Sequence, residues 1–252
     1  MEEAERLSAS EKTIVVLEAA LDNRRFTDVV AASGLARTSV HRILRILIDR
    51  GYLRVGEDGD YLAGPRALTV AARAFESVDI SSLARPVIDQ LVEQTGCTVH
   101  VGALVGDELI YVARGESRKP YRMPSRVGRA VPLHSTSMGK ALLAGGPDDQ
   151  LRHYLSSPGL VPRTPNTIVD RRRFRAELAR ILEQGHALDD EENEPGIRCV
   201  GASITDHTGL RSHGISVSTL ALEHSLDDLA GFAPAVTRAA ADISAMLGHR
   251  GD

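Results

Sequence analysis

The chain has little cysteine and no long apolar run, and each shortage excludes a class of protein. Its two cysteines among 252 residues, Cys97 and Cys199, are too few for a disulfide framework or a four-cysteine zinc site. No apolar stretch approaches the roughly 20 residues that a membrane-spanning helix needs. The first segment, MEEAERLSAS, is acidic and polar, unlike a secretory signal. We therefore expect a globular cytoplasmic protein with free thiols and no membrane partner.

Lysine is scarce as well, and arginine carries most of the positive charge. Only Lys12, Lys119 and Lys140 are lysines, and the net charge of the chain is −4. Residues 24–54 nevertheless contain seven arginines against two aspartates, a local net charge of +5. A basic segment in an acidic protein is typical of a small DNA-binding module joined to a domain that does not bind DNA.

The N-terminal part of the chain has the element order of a winged helix-turn-helix. Helical spacing predicts helices over residues 11–21, 27–33 and 36–50, with Ser10 as the N-cap of the first and Gly34 ending the second. The segments YLRV and YLAG flank the turn EDGD and predict a β-hairpin. Three helices followed by a hairpin favour a DNA-binding module over an isolated surface helix.

The third predicted helix separates apolar from polar side chains. On a helical wheel one arc is apolar, formed by Val40, Ile43, Leu44, Leu47 and Ile48. The opposite arc carries hydroxyls and long cations, which contact phosphates and guanine edges in the major groove. The predicted DNA-binding residues are Arg37, Thr38, Ser39, His41, Arg42 and Arg45 of this helix and Arg54 of the hairpin. A solvated surface helix would show the same arc, and the neighbouring turn and hairpin favour DNA binding over it.

From about residue 81 the pattern changes to mixed α/β. Strands are predicted for CTVHVGALV, ELIYVAR, IRCVGASIT and HGISVS, and helices for residues 82–96, 136–144, 148–156, 170–184 and 225–247. An alanine-rich helix over residues 66–79 connects the two patterns. We therefore predict an α/β fold in the broad α+β sense, with a DNA-binding domain (1–64), a connecting helix (65–80) and a second domain (81–252).

The segment VPLHSTSMGKALLAG begins a helix with several hydroxyls. Such a start is a natural anion site, with Lys140 adjacent. The plainer alternative, which we favour from the residues alone, is an ordinary N-cap with Lys140 solvated or paired to an acid. A phosphate-binding Walker loop is excluded, because His134 stands where its first glycine would be and Ala141 replaces its Ser/Thr.

Three further features of the second domain admit two interpretations each. The acidic run from Asp189 to Glu194 is typical of a solvated loop, but it could hold a divalent metal or supply one oriented carboxylate to a pocket. Cys199 is either a small core residue or part of a cavity wall. Ser216 and Ser218 share one face of a strand, where a polar ligand could satisfy them.

Three segments in series resemble one family, the IclR-type bacterial transcriptional regulators. Residues 29–68 look like its winged helix, VPLHSTSMGKALLAG is similar to its LHxTxxGKAxLA segment, and GHALDDEENEPGIRCVGASI is similar to its DxEExxxGxxC segment. The resemblance implies a C-terminal domain similar to the GAF fold, an antiparallel sheet with helices that binds a small effector, often a carboxylate. It implies effector contacts at Ser137, Met138, Asp189, Cys199, Ser216 and Ser218. Met138 stands where smaller residues are common, which predicts a narrower pocket.

The resemblance implies a function and an assembly. We expect a ligand-responsive transcriptional regulator that binds double-stranded operator DNA as a homodimer or homotetramer, as a repressor relieved by an organic acid. A ligand-activated activator is the alternative. An enzyme using His134, Lys140, Asp189 or Cys199 is a weaker one, since no G-x-S-x-G, H-E-x-x-H or dinucleotide-binding motif is present. We expect neither a metal nor a cofactor.

Overall fold

A boundary between residues 78 and 79 divides the chain into two units, Met1–Val78 and Asp79–Asp252. The computed structural model describes residues 7–76, 79–117, 119 and 123–251. The predicted fold class is confirmed: a helix-turn-helix with a hairpin lies in the first unit and an antiparallel sheet with helices in the second. None of the described helices combines the length and the apolar character that a membrane span requires.

Among its described residues, the first unit contains four helices and one hairpin. Its elements are α1 (Ala9–Asp22), α2 (Phe26–Ser33), α3 (Arg37–Asp49), β1 (Leu53–Val55), β2 (Tyr61–Ala63) and α4 (Pro65–Glu76). Ser8, not Ser10, caps α1, because the Ser8 hydroxyl accepts from the amide of Glu11 while the Glu11 carboxylate accepts from the amide of Ser8. Residues 77 and 78 of the predicted connecting helix lie outside the described residues.

The core of the first unit fixes the direction of α3. Val16 of α1, Val29 of α2 and Leu44 of α3 are buried together with Leu53 of the hairpin. Gly34 ends α2 with φ at 63°, a left-handed conformation that glycine adopts without strain, and so allows the sharp turn into α3.

The second unit is a six-stranded antiparallel sheet with helices on both faces. Its helices are α5 (Ile80–Leu83), α6 (Arg85–Thr95), α7 (Ser137–Gly145), α8 (Asp148–Ser156), α9 (Arg171–Gln184) and α10 (Leu226–Met246). Its strands are β3 (Thr98–Val105), β4 (Glu108–Gly115), β5 (Ala130–Pro132), β6 (Ala187–Asp190), β7 (Ile197–Thr205) and β8 (Arg211–Leu220), in the order β5-β4-β3-β8-β7-β6.

The two faces of this sheet differ in chemistry. One face is apolar and packs on α6 and α10, with Val99, Val200 and Val217 fully buried. The other face packs on α7, α8 and α9 and carries polar residues along the central strands. Because side chains alternate along a strand, the same strands build a dry core on one side and a polar surface on the other.

Three elements differ from the sequence prediction. The strands β5 and β6 are short and were not predicted, and the helix predicted over residues 82–96 is two helices separated at Ala84. Pro86 lies in the first turn of α6, where its missing amide costs no helical hydrogen bond.

Candidate functional site

Helix α3 turns its apolar side chains into the core of the first unit and its polar side chains outward. Val40 and Leu44 are buried, whereas Thr38, Arg42 and Arg45 are exposed. Neither arginine forms an ion pair with a described residue. Both guanidinium groups are therefore available to phosphates and to the O6 and N7 atoms of guanine.

Two predicted DNA-binding residues also pack against Phe26 at the start of α2. The Arg37 guanidinium carbon lies 5.0 Å from the centroid of the Phe26 ring, and the His41 ring meets it edge-on at 6.2 Å. A cation–π contact at an exposed site contributes about 0.5–1 kcal/mol, which restrains Arg37. Arg42 and Arg45 are consequently less restrained than Arg37 and His41.

The remaining two predicted DNA-binding residues differ in exposure. Ser39 is half-buried on α3, whereas Arg54 is exposed on β1, opposite Leu62. The hairpin turn is closed by the amide of Gly56, which donates to the carbonyl of Asp60 at 2.8 Å. Its acidic tip is exposed, so Arg54 is the cation that this hairpin presents.

A cavity in the second unit brings together all six residues that the resemblance implied as effector contacts. Its wall includes Ser137, Met138, Asp189, Cys199, Ser216 and Ser218. The cavity lies between the polar face of the sheet and the N-terminus of α7. The cavity is small, with a volume of about 40 Å³ open to a water-sized molecule.

Two glycines let α7 approach the sheet closely enough to form this cavity. A Cβ atom on Gly201 would lie 2.8 Å from the Ser137 hydroxyl and 2.9 Å from the Met138 amide nitrogen. A Cβ on Gly214 would lie 2.9 Å from the Met138 Cβ. Because such contacts are too short for real side chains, the first turn of α7 can rest on β7 and β8 only where these strands carry glycine.

The start of α7 combines an ordinary cap with unpaired amides. The Thr136 hydroxyl accepts from the amide of Gly139 at 3.2 Å, as the N-cap interpretation predicts. In an α-helix the first amides have no partner within the helix, and those of Ser137 and Met138 lie beside the cavity. The positive end of the helix dipole therefore faces the cavity.

Lys140 does not contribute to this anion-favouring surface. It is fully buried, its ammonium group donates to the Glu192 carboxylate, and Glu177 Oε1 lies 3.8 Å away. Of the alternatives that the sequence left open, the one in which Lys140 pairs with an acid is therefore the one in the structure.

Asp189 corrects the interpretation of the acidic run as a solvated loop. It lies on β6 with its side chain turned inward, and it is 2% exposed. Its Oδ1 accepts from the amides of Glu192 at 2.8 Å and Asn193 at 3.3 Å. Burial, reinforced by the nearby Glu192 carboxylate, raises the pKa of Asp189 to about 7. The cavity therefore contains a carboxyl group that can carry a proton near neutral pH.

A chain of hydrogen bonds crosses the cavity wall. The Cys199 thiol donates to the Ser218 hydroxyl at 3.2 Å, and the same hydroxyl lies 3.2 Å from His100 Nδ1. His100 Nε2 lies 2.7 Å from the Ser125 hydroxyl. Burial raises the pKa of the Cys199 thiol well above its ordinary value, so the thiol is a hydrogen-bond donor and lacks the low pKa of a nucleophile.

Several cavity residues were missed from the sequence. They include His100, Tyr111, Ser125, Arg129 and Asn193. His100 had a readable signal, because it alternates with the buried Val99 and Val101 on β3 and therefore points to the polar face. Arg129, whose guanidinium lies 3.9 Å from Glu194, had none.

His134, a candidate catalytic residue in the enzyme alternative, forms hydrogen bonds that hold the surrounding structure together. Its Nδ1 lies 2.7 Å from the Tyr154 hydroxyl, and its Nε2 lies 2.8 Å from the carbonyl of Val161. Both ring nitrogens are thus engaged, and the cavity wall does not include this residue. His134 and Lys140 anchor loops and helices around the cavity.

Comparison with known proteins decides the family. A family model described as the bacterial transcriptional regulator IclR C-terminal domain matches residues 72–245, and the IclR helix-turn-helix domain matches residues 11–56. The chain belongs to the IclR family of bacterial transcriptional regulators.

Three IclR-family relatives illustrate the range of similarity. The chain is 32% identical to the HTH-type transcriptional regulator XynR of Escherichia coli K12, over 89% of this chain and 90% of XynR. It is 28% identical to the transcriptional repressor IclR of the same organism, over 88% of this chain and 82% of IclR. An IclR homologue from Microbacterium hydrocarbonoxydans, solved with 4-hydroxybenzoate, shares the fold with a TM-score of 0.61 and 21% identity, over 96% and 99%. The predicted family and the predicted role in transcription regulation are therefore confirmed.

Proposed function

We propose that this protein is a repressor that binds operator DNA and dissociates from it when a small organic acid binds in the cavity of the second unit. In this assignment residues 1–64 bind DNA, residues 81–252 bind the effector, and residues 65–80 connect these two domains. The observation that carries it is the cavity itself, where hydroxyls, helix amides and a carboxyl group that can carry a proton near neutral pH line one space.

The cavity chemistry fits a carboxylate. The amides at the start of α7 and the hydroxyls of Ser216 and Ser218 can donate to its two oxygens, and the helix dipole compensates its charge. The protonated Asp189 can donate as well, whereas an ionised Asp189 would repel the ligand. We assign effector contacts to these groups and to the cavity-lining side chains of Met138 and Cys199.

The DNA-binding role rests on the exposed polar face of α3. We assign contacts with phosphates and bases to Arg37, Thr38, Ser39, His41, Arg42 and Arg45, and a backbone contact to Arg54. A single module with few base contacts binds weakly, so we propose that a cytoplasmic homodimer or homotetramer binds two operator half-sites.

The relatives support repression that an acid relieves over activation by the acid. The relative IclR of E. coli is named a transcriptional repressor, and the Microbacterium homologue was solved with the aromatic hydroxy acid 4-hydroxybenzoate. A ligand releases DNA only if it binds the DNA-free arrangement better than the DNA-bound one. An activator would instead hold DNA more tightly with the acid, which a binding assay distinguishes.

A thermal-shift experiment tests the ligand class. Acetate, succinate, benzoate and 4-hydroxybenzoate are added to the wild type and to the double variant Ser216→Ala, Ser218→Ala. A binding acid raises the melting temperature of the wild type by mass action, with about 2.7 kcal/mol of stabilisation at 100 times its Kd. The double variant should lose this shift, whereas Ser156→Ala, a change at an exposed serine of α8, should keep it. Equal shifts in both serine variants, or none in the wild type, would contradict the proposal.

A further inference from the structure

The cavity wall contains a histidine whose tautomer decides what Ser218 can offer to a ligand. His100 lies in the middle of the sheet, 2% exposed, and its ring stacks on Tyr111 with 4.6 Å between the centroids. Burial, together with the positive charge of Arg114, lowers the pKa of His100 to about 3, so the imidazole is neutral. A neutral imidazole has one N–H donor and one acceptor nitrogen.

The two tautomers leave Ser218 in different states. If Nε2 carries the proton, it donates to Ser125, and Nδ1 accepts a hydrogen bond from the Ser218 hydroxyl. Ser218 then has no proton for a ligand. If Nδ1 carries the proton, it donates to the Ser218 oxygen, and Nε2 accepts from the Ser125 hydroxyl. In that case the Ser218 hydroxyl proton can point into the cavity.

The distances favour a proton on Nδ1. The contact between His100 Nε2 and the Ser125 hydroxyl is 2.7 Å, which is short for an N–H donor and ordinary for an O–H donor. The contact between Nδ1 and the Ser218 oxygen is 3.2 Å, within the range of N–H donors. Ser218 also accepts from the Cys199 thiol. With the proton on Nδ1, the Ser218 oxygen therefore receives two hydrogen bonds, and its own proton is left for a ligand.

Hydrogen bonds from Arg114 hold the segment that contains Ser125. The Arg114 guanidinium donates to the carbonyl of Ser125 and to that of Met123, the latter at 3.2 Å. These bonds tie residues 123–125 to β4, beside the stacked rings of His100 and Tyr111. These bonds hold the Ser125 backbone while its hydroxyl lies 2.7 Å from His100 Nε2.

We propose that Ser125 and His100 are positioning residues of the effector cavity: Ser125 holds His100 with its proton on Nδ1, which frees the Ser218 hydroxyl to donate to an anionic ligand. The tautomer itself is independent of the proposed function, and only the ligand step rests on it. The arrangement selects ligands that accept a hydrogen bond at Ser218, such as carboxylates, over ligands that can only donate there.

Nitrogen-15 NMR of the ligand-free full chain reads the tautomer directly, because protonated and unprotonated imidazole nitrogens resonate far apart. His100→Gln assigns the His100 signals by their loss. We expect a protonated Nδ1 in the wild type. In Ser125→Ala the Nε2 partner is lost, so the two nitrogen signals should move toward each other as the tautomers mix. A wild-type protein with Nε2 protonated, or His100 signals that ignore Ser125→Ala, would overturn the proposal.

A second serine–histidine pair provides a matched control. The Ser212 hydroxyl lies 2.9 Å from His213 Nδ1 on β8. Ser212→Ala should change the His213 signals and leave those of His100 in place. A His100 response to Ser212→Ala as large as its response to Ser125→Ala would show a general effect of serine loss and contradict the proposal.

The ligand step is tested with the four acids named above. For each acid that binds the wild type, Ser125→Ala should raise the Kd about threefold to tenfold, since the Ser218 donor is then present only part of the time. An unchanged Kd would overturn the ligand step. A wild type that binds none of the four acids would instead contradict the proposed function, and the tautomer measurement would still decide the arrangement of His100.

Discussion

Helix α3 and the cavity place their polar side chains in opposite environments. On α3, Arg42 and Arg45 are exposed without ion-pair partners among the described residues. In the cavity wall, Asp189, Ser216 and Ser218 are buried. A buried polar group must find hydrogen bonds, whereas an exposed cation is satisfied by water until DNA replaces it. We therefore expect that the exposed face of α3 can be altered at little cost in stability, whereas changes among the buried polar groups of the second unit destabilise it.

Removing the buried ammonium group should give the largest loss of stability. Lys140→Met leaves the Glu192 carboxylate buried without its cation, so we expect the free energy of unfolding to fall by about 3–5 kcal/mol in urea titrations. Lys119→Met is the matched change at a surface pair, because Lys119 is 36% exposed beside Glu223. That control should cost at most about 1 kcal/mol. Equal losses would contradict the distinction between the buried and exposed regions.

Changing the exposed helix should affect DNA and not the fold. Arg42→Ala should weaken binding to a promoter fragment by about 1–3 kcal/mol, with an unchanged melting temperature, because the lost contacts form only with DNA. Fluorescence anisotropy measures this affinity. Arg172→Ala, at an exposed arginine of α9, should leave it unaltered. Wild-type affinity in Arg42→Ala would remove α3 from the proposed interface.

The close approach of α7 to the sheet should tolerate no added methyl group. Gly201→Ala places a Cβ against Ser137 and Met138, so we expect a loss of about 1–3 kcal/mol in thermal or urea unfolding. Gly231→Ala is the control, because Gly231 lies in α10 with nothing within 4 Å of the added Cβ, and it should stabilise by about 0.5–1 kcal/mol. A neutral Gly201→Ala would show that the helix can shift without cost.

The buried carboxyl group should make stability depend on pH. The pKa of Asp189 is about 7 in the folded state against an ordinary value of 3.8, so between these values the folded state binds one more proton than the unfolded state. The contribution of Asp189 to the free energy of unfolding should therefore decrease as pH rises from about 4 to 7, by at most about 1.4 kcal/mol per pH unit. Above that range it should level off.

Asp189→Asn isolates this contribution, because an amide oxygen can still accept from the Glu192 amide. The variant should gain stability relative to the wild type as pH rises through this window, in urea titrations at several pH values. Asp227→Asn, at an exposed first-turn residue of α10, should parallel the wild type. A wild-type pH slope in Asp189→Asn would show that Asp189 ionises normally in the fold.

The same contrast explains what could be predicted from the sequence. Helix α3 was predicted over residues 36–50 and spans Arg37–Asp49, because one amphipathic period contains both its core and its exposed face. The shared face of Ser216 and Ser218 followed from alternation along a single strand. Both predictions needed only residues that are neighbours in sequence.

The cavity wall could not be derived in the same way, because its contacts join distant segments. His100 meets Ser125 across 25 residues, and Lys140 meets Glu192 across 52. The residues alone favoured a solvated loop around Asp189, because the acidic composition of its neighbours outweighed the alternation of a strand only four residues long. Strand β5 is three residues long and offers no period to recognise.

The control of DNA binding by the cavity is tested most directly by the affinity of the full chain for a promoter fragment, with and without a saturating acid from the panel. We expect the acid to raise the Kd for DNA at least fivefold in the wild type, as a coupling of about 1 kcal/mol or more requires, and to leave it unchanged in the Ser216→Ala, Ser218→Ala variant. An acid that binds the wild type without altering its affinity for DNA would contradict this expectation.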